Sequence, residues 1–165
     1  MRAETKQKLK VGFSLAAAIL IPLAVGAFSA FLTAEDMKGY ETLPHPALAP
    51  PGWIFPIVWT ILYVTMGIAS YLVYAADTAP ETKRRALRPY AAQLAMNLFW
   101  STLFFTYTRY LVSLLWLVGM WVLTLIAAVR FFRIRRAAGV MMSVLLLWSS
   151  FAAYLNFSYY AMRIT

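Results

Sequence analysis

The sequence contains no cysteine. Disulfides, thiolate metal sites, iron–sulfur clusters and cysteine nucleophiles are therefore excluded. Histidine occurs once, as His45. A zinc site of several His and Cys ligands cannot be assembled, and no metal site is expected. A Ser-His-Asp triad would have to use His45. Charge is scarce as well. Only 13% of the 165 residues are charged, against roughly 25% in an ordinary soluble domain. Acid is the scarcer sign, with 6 Asp and Glu against 15 Lys and Arg, for a net charge of +9. No Asp, Glu, Lys, Arg or His lies deep inside any apolar run. Ion-coupled carriers and proton pumps usually carry such a group, so its absence argues against an ion-driven carrier. It also removes general acid–base catalysis by buried carboxylates.

What is present is apolar. Some 62% of residues are hydrophobic, and the mean hydropathy is +0.68. A disordered chain needs low hydrophobicity. A small soluble globule has too little interior to hide this much apolar surface. The sequence therefore reads as an all-α integral membrane protein, with residues 1–165 forming one compact domain. A membrane helix needs ~20 mostly apolar residues. Five uncharged stretches qualify, giving predicted helices at about 11–34, 53–76, 89–108, 110–130 and 137–162. The third and fourth are separated only near Arg109 and form a tight hairpin. The basic start before the first run resembles a signal peptide. That run is too long for one and continues into a distinctive loop, so it is read as a retained helix.

The basic residues fall at the span ends. Arg2, Lys6, Lys8 and Lys10 precede the first span. Lys83, Arg84, Arg85 and Arg88 lie in the second connection, and Arg130, Arg133, Arg135 and Arg136 in the fourth. With five spans these twelve share one side, and only Lys38, Arg109 and Arg163 face the other. The positive-inside rule then puts the N-terminus in the cytoplasm and the C-terminus outside. The long 33–52 loop, with Glu35, Asp36 and Glu41, is external. The same clustering explains the basic charge by topology, so no nucleic-acid partner is expected. The split favours a bacterial inner membrane.

The aromatic share is 16%, with six Trp and ten Tyr. This exceeds the needs of interfacial belts alone. Tyr90, Gln93, Asn97, Trp100 and Phe104 recur at helical spacing on one face of the third span. Trp148, Ala152, Leu155, Asn156 and Tyr159 do so on the fifth, and Trp59, Tyr63, Met66 and Ser70 on the second. Unpaired polar groups are costly in lipid, so Gln93, Asn97 and Asn156 are expected to point inward. Two readings follow. In one, the amides are interhelical glue and the aromatics fill a core. In the other, the stripes line a pocket for a flat, largely apolar ligand.

The approach to the second span is rich in proline. Pro50 and Pro51 fix an extended chain, Gly52 frees the turn, Trp53 suits the interface and Pro56 sits in the first helical turn. The expected result is a rigid loop over the outer mouth of the bundle. The segment Pro50-Pro51-Gly52-Trp53-Ile54-Phe55-Pro56-Ile57-Val58-Trp59-Thr60-Ile61-Leu62-Tyr63 resembles the signature of the tryptophan-rich sensory protein/translocator protein (TspO/MBR) family. The resemblance continues through residues 90–105 and 148–156, and takes in Gly26, Thr33 and residues 40–43. It spans almost the whole chain, in order. The sequence departs from the family pattern around His45, Leu48 and Val144.

The resemblance implies a five-helix bundle that forms homodimers. It implies binding of porphyrins and related tetrapyrroles, haem among them, and in some members sterols, in a pocket closed by the first loop. No cofactor is required. By position the pocket would include Trp59, Tyr63, Asn97, Trp100, Trp148, Ala152, Leu155 and Asn156, and the helix faces add Trp53, Gln93 and Phe104. Trp59 and Trp148 match two tryptophans linked in some bacterial members to light-dependent porphyrin breakdown. The family includes members in bacterial outer membranes and in mitochondrial ones. Leu155, Tyr159 and Arg163 satisfy a loose cholesterol pattern. They also read as a helix end with an interfacial Tyr and a snorkelling Arg. His45 is either an axial haem ligand or a solvated loop residue. Three functions stay open: a porphyrin-binding membrane sensor or transporter, a light-dependent porphyrin-degrading enzyme, and a structural membrane dimer without a ligand.

Overall fold

The computed structural model describes residues 2–42 and 44–164, without the side chains of residues 2–6, 8, 41 and 164. Leu43, part of the family resemblance, lies outside the described residues. Five α-helices dominate: α1 (Arg2–Lys38), α2 (Ile54–Tyr74), α3 (Pro80–Ser101), α4 (Tyr110–Ile134) and α5 (Arg136–Ile164). A short 3-10 turn, Tyr40–Thr42, follows α1, and a π-helical turn, Thr102–Thr106, prolongs α3. Helices satisfy their own backbone polar groups, which the bilayer requires. Four of the five, α1, α2, α4 and α5, are long and apolar enough to cross a membrane. The third begins in the basic connection, at Pro80. Its apolar part runs from Pro89 through the π turn, so the crossing is shared between two elements.

The helix ends differ from the sequence expectation, because apolar length sets a span and not a helix. The first helix continues through its basic start and through Glu35 and Asp36 to Lys38, which shortens the loop to α2. The third starts about two turns earlier than expected and carries Pro89 in its interior. The fourth and fifth meet at a single extended residue, Arg135. Gly139 makes that turn feasible, since a Cβ there would fall 2.2 Å from the Phe132 ring.

The helices form a closed ring in the order α1, α2, α5, α4, α3, with α3 returning to α1. The backbones of α1 and α2 approach closely at Gly67. A Cβ on Gly67 would lie 2.5 Å from the Ile19 Cα, so only glycine fits. Large apolar side chains face outward, including Phe13, Phe31 and Leu147. Inside are Met66, Leu117, Met120, Phe131, Met142 and Leu145 together with Gln93, Asn97 and Asn156. Lipid outside reverses the usual arrangement, and the amides turn inward as expected.

Candidate functional site

The α1–α2 loop is strapped to the bundle by two tyrosines of α5, and a third, Tyr40, braces it from within. The Tyr40 hydroxyl donates to the Pro50 carbonyl at 3.1 Å, and the Tyr154 hydroxyl to the Ala47 carbonyl at 3.0 Å. The Tyr159 hydroxyl lies 2.8 Å from His45 Nδ1. His45 also packs on the Tyr40 ring at 4.6 Å. His45 is thus exposed yet anchored, and it lines neither of the voids beneath the loop. Leu48, at the loop tip, adopts a left-handed φ of 68° and is 77% exposed.

Beneath the loop are two voids. The larger, about 500 Å³, lies between α1, α2 and the end of α3. That size falls in the range of small-molecule sites, about 300–1,000 Å³. Trp59, Tyr63, Phe55, Trp100 and Phe105 supply its aromatic wall. Gly26, Ala27, Ala30, Thr33, Ala34 and Met37 supply the α1 wall. Five of the lining residues, Ala27, Ala30 and Ala34 on α1 and Pro56 and Thr60 on α2, are exposed. The void therefore opens sideways between α1 and α2, at the depth of the apolar spans. Every lining residue is uncharged, and all come from one chain.

Local sequence explains this wall. Gly26 leaves room for the Tyr63 ring, because a Cβ there would fall 2.1 Å from Tyr63 Cε2. The Tyr63 hydroxyl donates to Asn97 Oδ1 at 3.1 Å, which holds the ring against the cavity floor. Trp59 leans on Tyr63 at 5.5 Å and on Trp100 at 6.4 Å. The π turn closes an i→i+5 hydrogen bond, Tyr107 N–H to the Thr102 carbonyl, one residue longer than in an α-helix. It brings the consecutive Phe104 and Phe105 both inward, with ring centroids 4.8 Å apart.

The second void is small, about 10 Å³, the scale of a single water. It is enclosed by Phe104, Ala152, Leu155, Asn156 and Tyr159, and shares Tyr40, Phe55, Trp100 and Phe105 with the upper bundle. Its polar corner is hydrogen-bonded on both amide atoms of Asn156. Asn156 Oδ1 accepts from Trp100 Nε1 at 3.3 Å and from Ser113 Oγ at 3.0 Å, and Asn156 Nδ2 donates to the Tyr110 carbonyl at 2.7 Å.

The expected residues thus divide into groups. Trp59, Tyr63 and Trp100 line the large void. Trp100, Phe104, Ala152, Leu155 and Asn156 line the small one. Trp148 lines neither and packs between Phe55 and Phe151, at 6.4 and 5.4 Å. Trp53 is 65% exposed at the rim, outside both voids. Asn97 reaches the cavity only through Tyr63. Gln93 is fully buried, and neither its Oε1 nor its Nε2 has a hydrogen-bond partner. Leu155 and Tyr159 are buried inside the bundle, while Arg163 donates to the Thr108 carbonyl at 2.7 Å and sits over the Tyr110 ring. Sequence reasoning missed Phe55, Phe105 and the α1 wall. The recurrence of Gly26, Ala30, Thr33 and Met37 on one helix face carried that signal.

Comparison with known proteins agrees with the architecture. Residues 18–162 match the TspO/MBR family. The chain is 36% identical over 146 residues to a tryptophan-rich protein TspO from Chlorobaculum tepidum, covering 88% of this chain and 92% of that one. It is 37% identical over 125 residues to a tryptophan-rich sensory protein from Cereibacter sphaeroides, covering 76% and 75%. It is 31% identical over 154 residues to the human translocator protein, covering 89% and 85%. A five-helix ring around an uncharged aromatic interior, with near full-length similarity to bacterial and animal members, makes this chain a multi-pass membrane protein of the TspO/MBR family.

Proposed function

We propose that the protein binds a flat, largely apolar ring ligand of the porphyrin class in the α1–α2–α3 cavity, and serves as a membrane sensor or carrier for it. One observation carries the reading: a 500 Å³ void walled by Trp59, Tyr63, Phe55 and Trp100, with no charge in its lining. Such walls suit π-stacking on a planar ring. A ligand-free structural dimer would have no need of this space, because membrane helices associate through close packing. The names of two relatives, a tryptophan-rich sensory protein and a translocator protein, point the same way. Porphyrin carboxylates would meet the outer end of the bundle, where Arg109 is exposed. Lys38 is already paired with Glu35 at 2.7 Å. We place the N-terminus in the cytoplasm, in an inner-membrane setting, because the twelve basic residues gather at that end.

Titration of the purified protein with protoporphyrin IX, followed by tryptophan quenching and porphyrin absorbance, tests this reading. Saturable binding is expected. Trp59→Ala should weaken it about tenfold, the equivalent of ~1.4 kcal/mol. Trp148→Ala should weaken it less, because Trp148 acts only through Phe55. Equal affinity of the wild type and Trp59→Ala by absorbance would remove Trp59 from the site. Absence of saturable binding would end the proposal.

A further inference from the structure

The two voids share three side chains, Phe55, Trp100 and Phe105. We propose that Phe105 is a partition that determines ligand specificity. Moved aside, it joins the large cavity to the small void and creates a two-chamber site for a ring bearing a small apolar substituent. The inference rests on the large cavity being a ligand site.

The three shared side chains are not equally held. Trp100 is 4% exposed, hydrogen-bonded through Nε1 to Asn156, and stacked on Phe104 at 5.5 Å. Phe55 is 9% exposed and wedged among Tyr40, Phe105 and Trp148 at 5.4, 6.3 and 6.4 Å. Phe105 is only half-buried. Its ring contacts with Tyr40, Phe55, Trp100 and Phe104 are all edge-on, at 6.1, 6.3, 6.3 and 4.8 Å. It has no hydrogen bond to lose and an open cavity on one side into which to rotate. It also stands on the π turn, a helical irregularity often found at functional sites.

The chemistry of the second chamber follows from its corner. Asn156 has both amide atoms engaged, and the Tyr159 hydroxyl is held by His45. The remaining walls are Phe104, Ala152 and Leu155. A polar substituent would give up its hydration for at most the second Asn156 N–H in an otherwise apolar chamber. A methyl or vinyl group would lose nothing. The site therefore discriminates by the size and polarity of one ring substituent.

A double-mutant cycle on the full-length protein tests the partition. Phe105→Ala opens the wall, and Ala152→Phe fills the second chamber. Binding of protoporphyrin IX is measured for the wild type, both single variants and the double variant. Ala152→Phe is expected to weaken binding about five- to tenfold more in the Phe105→Ala background than in the wild type. Phe105→Leu, which keeps more of the core volume, should show the same direction. Equal effects in both backgrounds would overturn the partition while leaving the ligand site intact. Xenon-pressurised crystals give a readout that needs no porphyrin, since apolar voids take up xenon. Xenon density is expected beside Leu155 in Phe105→Ala and absent there in the wild type. Its absence from both would overturn the inference. Absence of porphyrin binding to the wild type, with xenon beside Leu155 in the variant, would instead overturn the ligand reading and the specificity role with it, while upholding Phe105 as the wall between the voids.

Discussion

Two glycines on α1 and α2 illustrate how little a residue type says without its surroundings. Gly67 meets the α1 backbone, with a would-be Cβ 2.6 Å from the Ala18 carbonyl oxygen. Gly12 has nothing within 4 Å of the same position. Gly67→Ala should force the two helices apart and cost about 1–3 kcal/mol, as overpacking does. Gly12→Ala should be neutral or add up to ~1 kcal/mol through helix propensity. Thermal unfolding of the two variants in detergent separates these outcomes. Leu48 makes a third case. Its left-handed backbone strains an L side chain by roughly 1–2 kcal/mol, and the side chain contributes little packing at 77% exposure. Leu48→Gly should therefore raise the melting temperature slightly, and Leu48→Val should lower it. At this scale the sequence revealed the inward amides, because polarity in lipid has only one affordable direction. It did not reveal Phe105. A regular 3.6-residue period puts residues 104 and 105 on different faces, and only the π turn brings both inside.

Elements were legible where hydrophobicity defines them and blurred where charge takes over. The spans were found, yet α1 and α3 run on as helix beyond their apolar stretches, where water or headgroups replace lipid. The first turn of α3 shows what stabilises such an extension. Glu81 hydrogen-bonds to both Arg84 and Arg85, and these bonds hold its carboxyl below the usual carboxylate range. A depressed folded-state value contributes stability above the unfolded value, and that stability is lost as pH falls through the folded one. Amide protection factors in residues 81–85, corrected for intrinsic exchange at each pH, should therefore fall as pH drops below the ordinary carboxylate range, and Glu81→Gln should abolish that dependence. The α1–α2 loop depends on side chains rather than backbone regularity. Tyr154→Phe and Tyr159→Phe together remove its hydrogen bonds to Ala47 and His45. Hydrogen exchange at residues 45–49 should rise in the double variant, with the helices unchanged. Neither tyrosine partner was legible, because each contact spans more than a hundred residues of sequence.

At the scale of the whole molecule, five crossings and a basic end were readable from composition and charge alone. The order of helices around the ring was not, since apolar spans carry no record of their neighbours. The lack of cysteine makes the orientation easy to test. Asp77→Cys and Thr42→Cys each introduce one thiol, on opposite connections. An impermeant maleimide applied to intact cells should label position 42 and leave position 77 untouched until the membrane is opened. The reverse pattern would invert the topology.

The cavity mouth between α1 and α2 has a further consequence. Ala27, Ala30, Ala34, Pro56 and Thr60 border it at the level of the apolar spans, so its surrounding solvent is hydrocarbon. A ligand reaching this mouth is dissolved in the bilayer first. The concentration that governs occupancy is then moles of ligand per mole of lipid, and dilution with empty vesicles should strip the protein of ligand even when the aqueous volume is held constant.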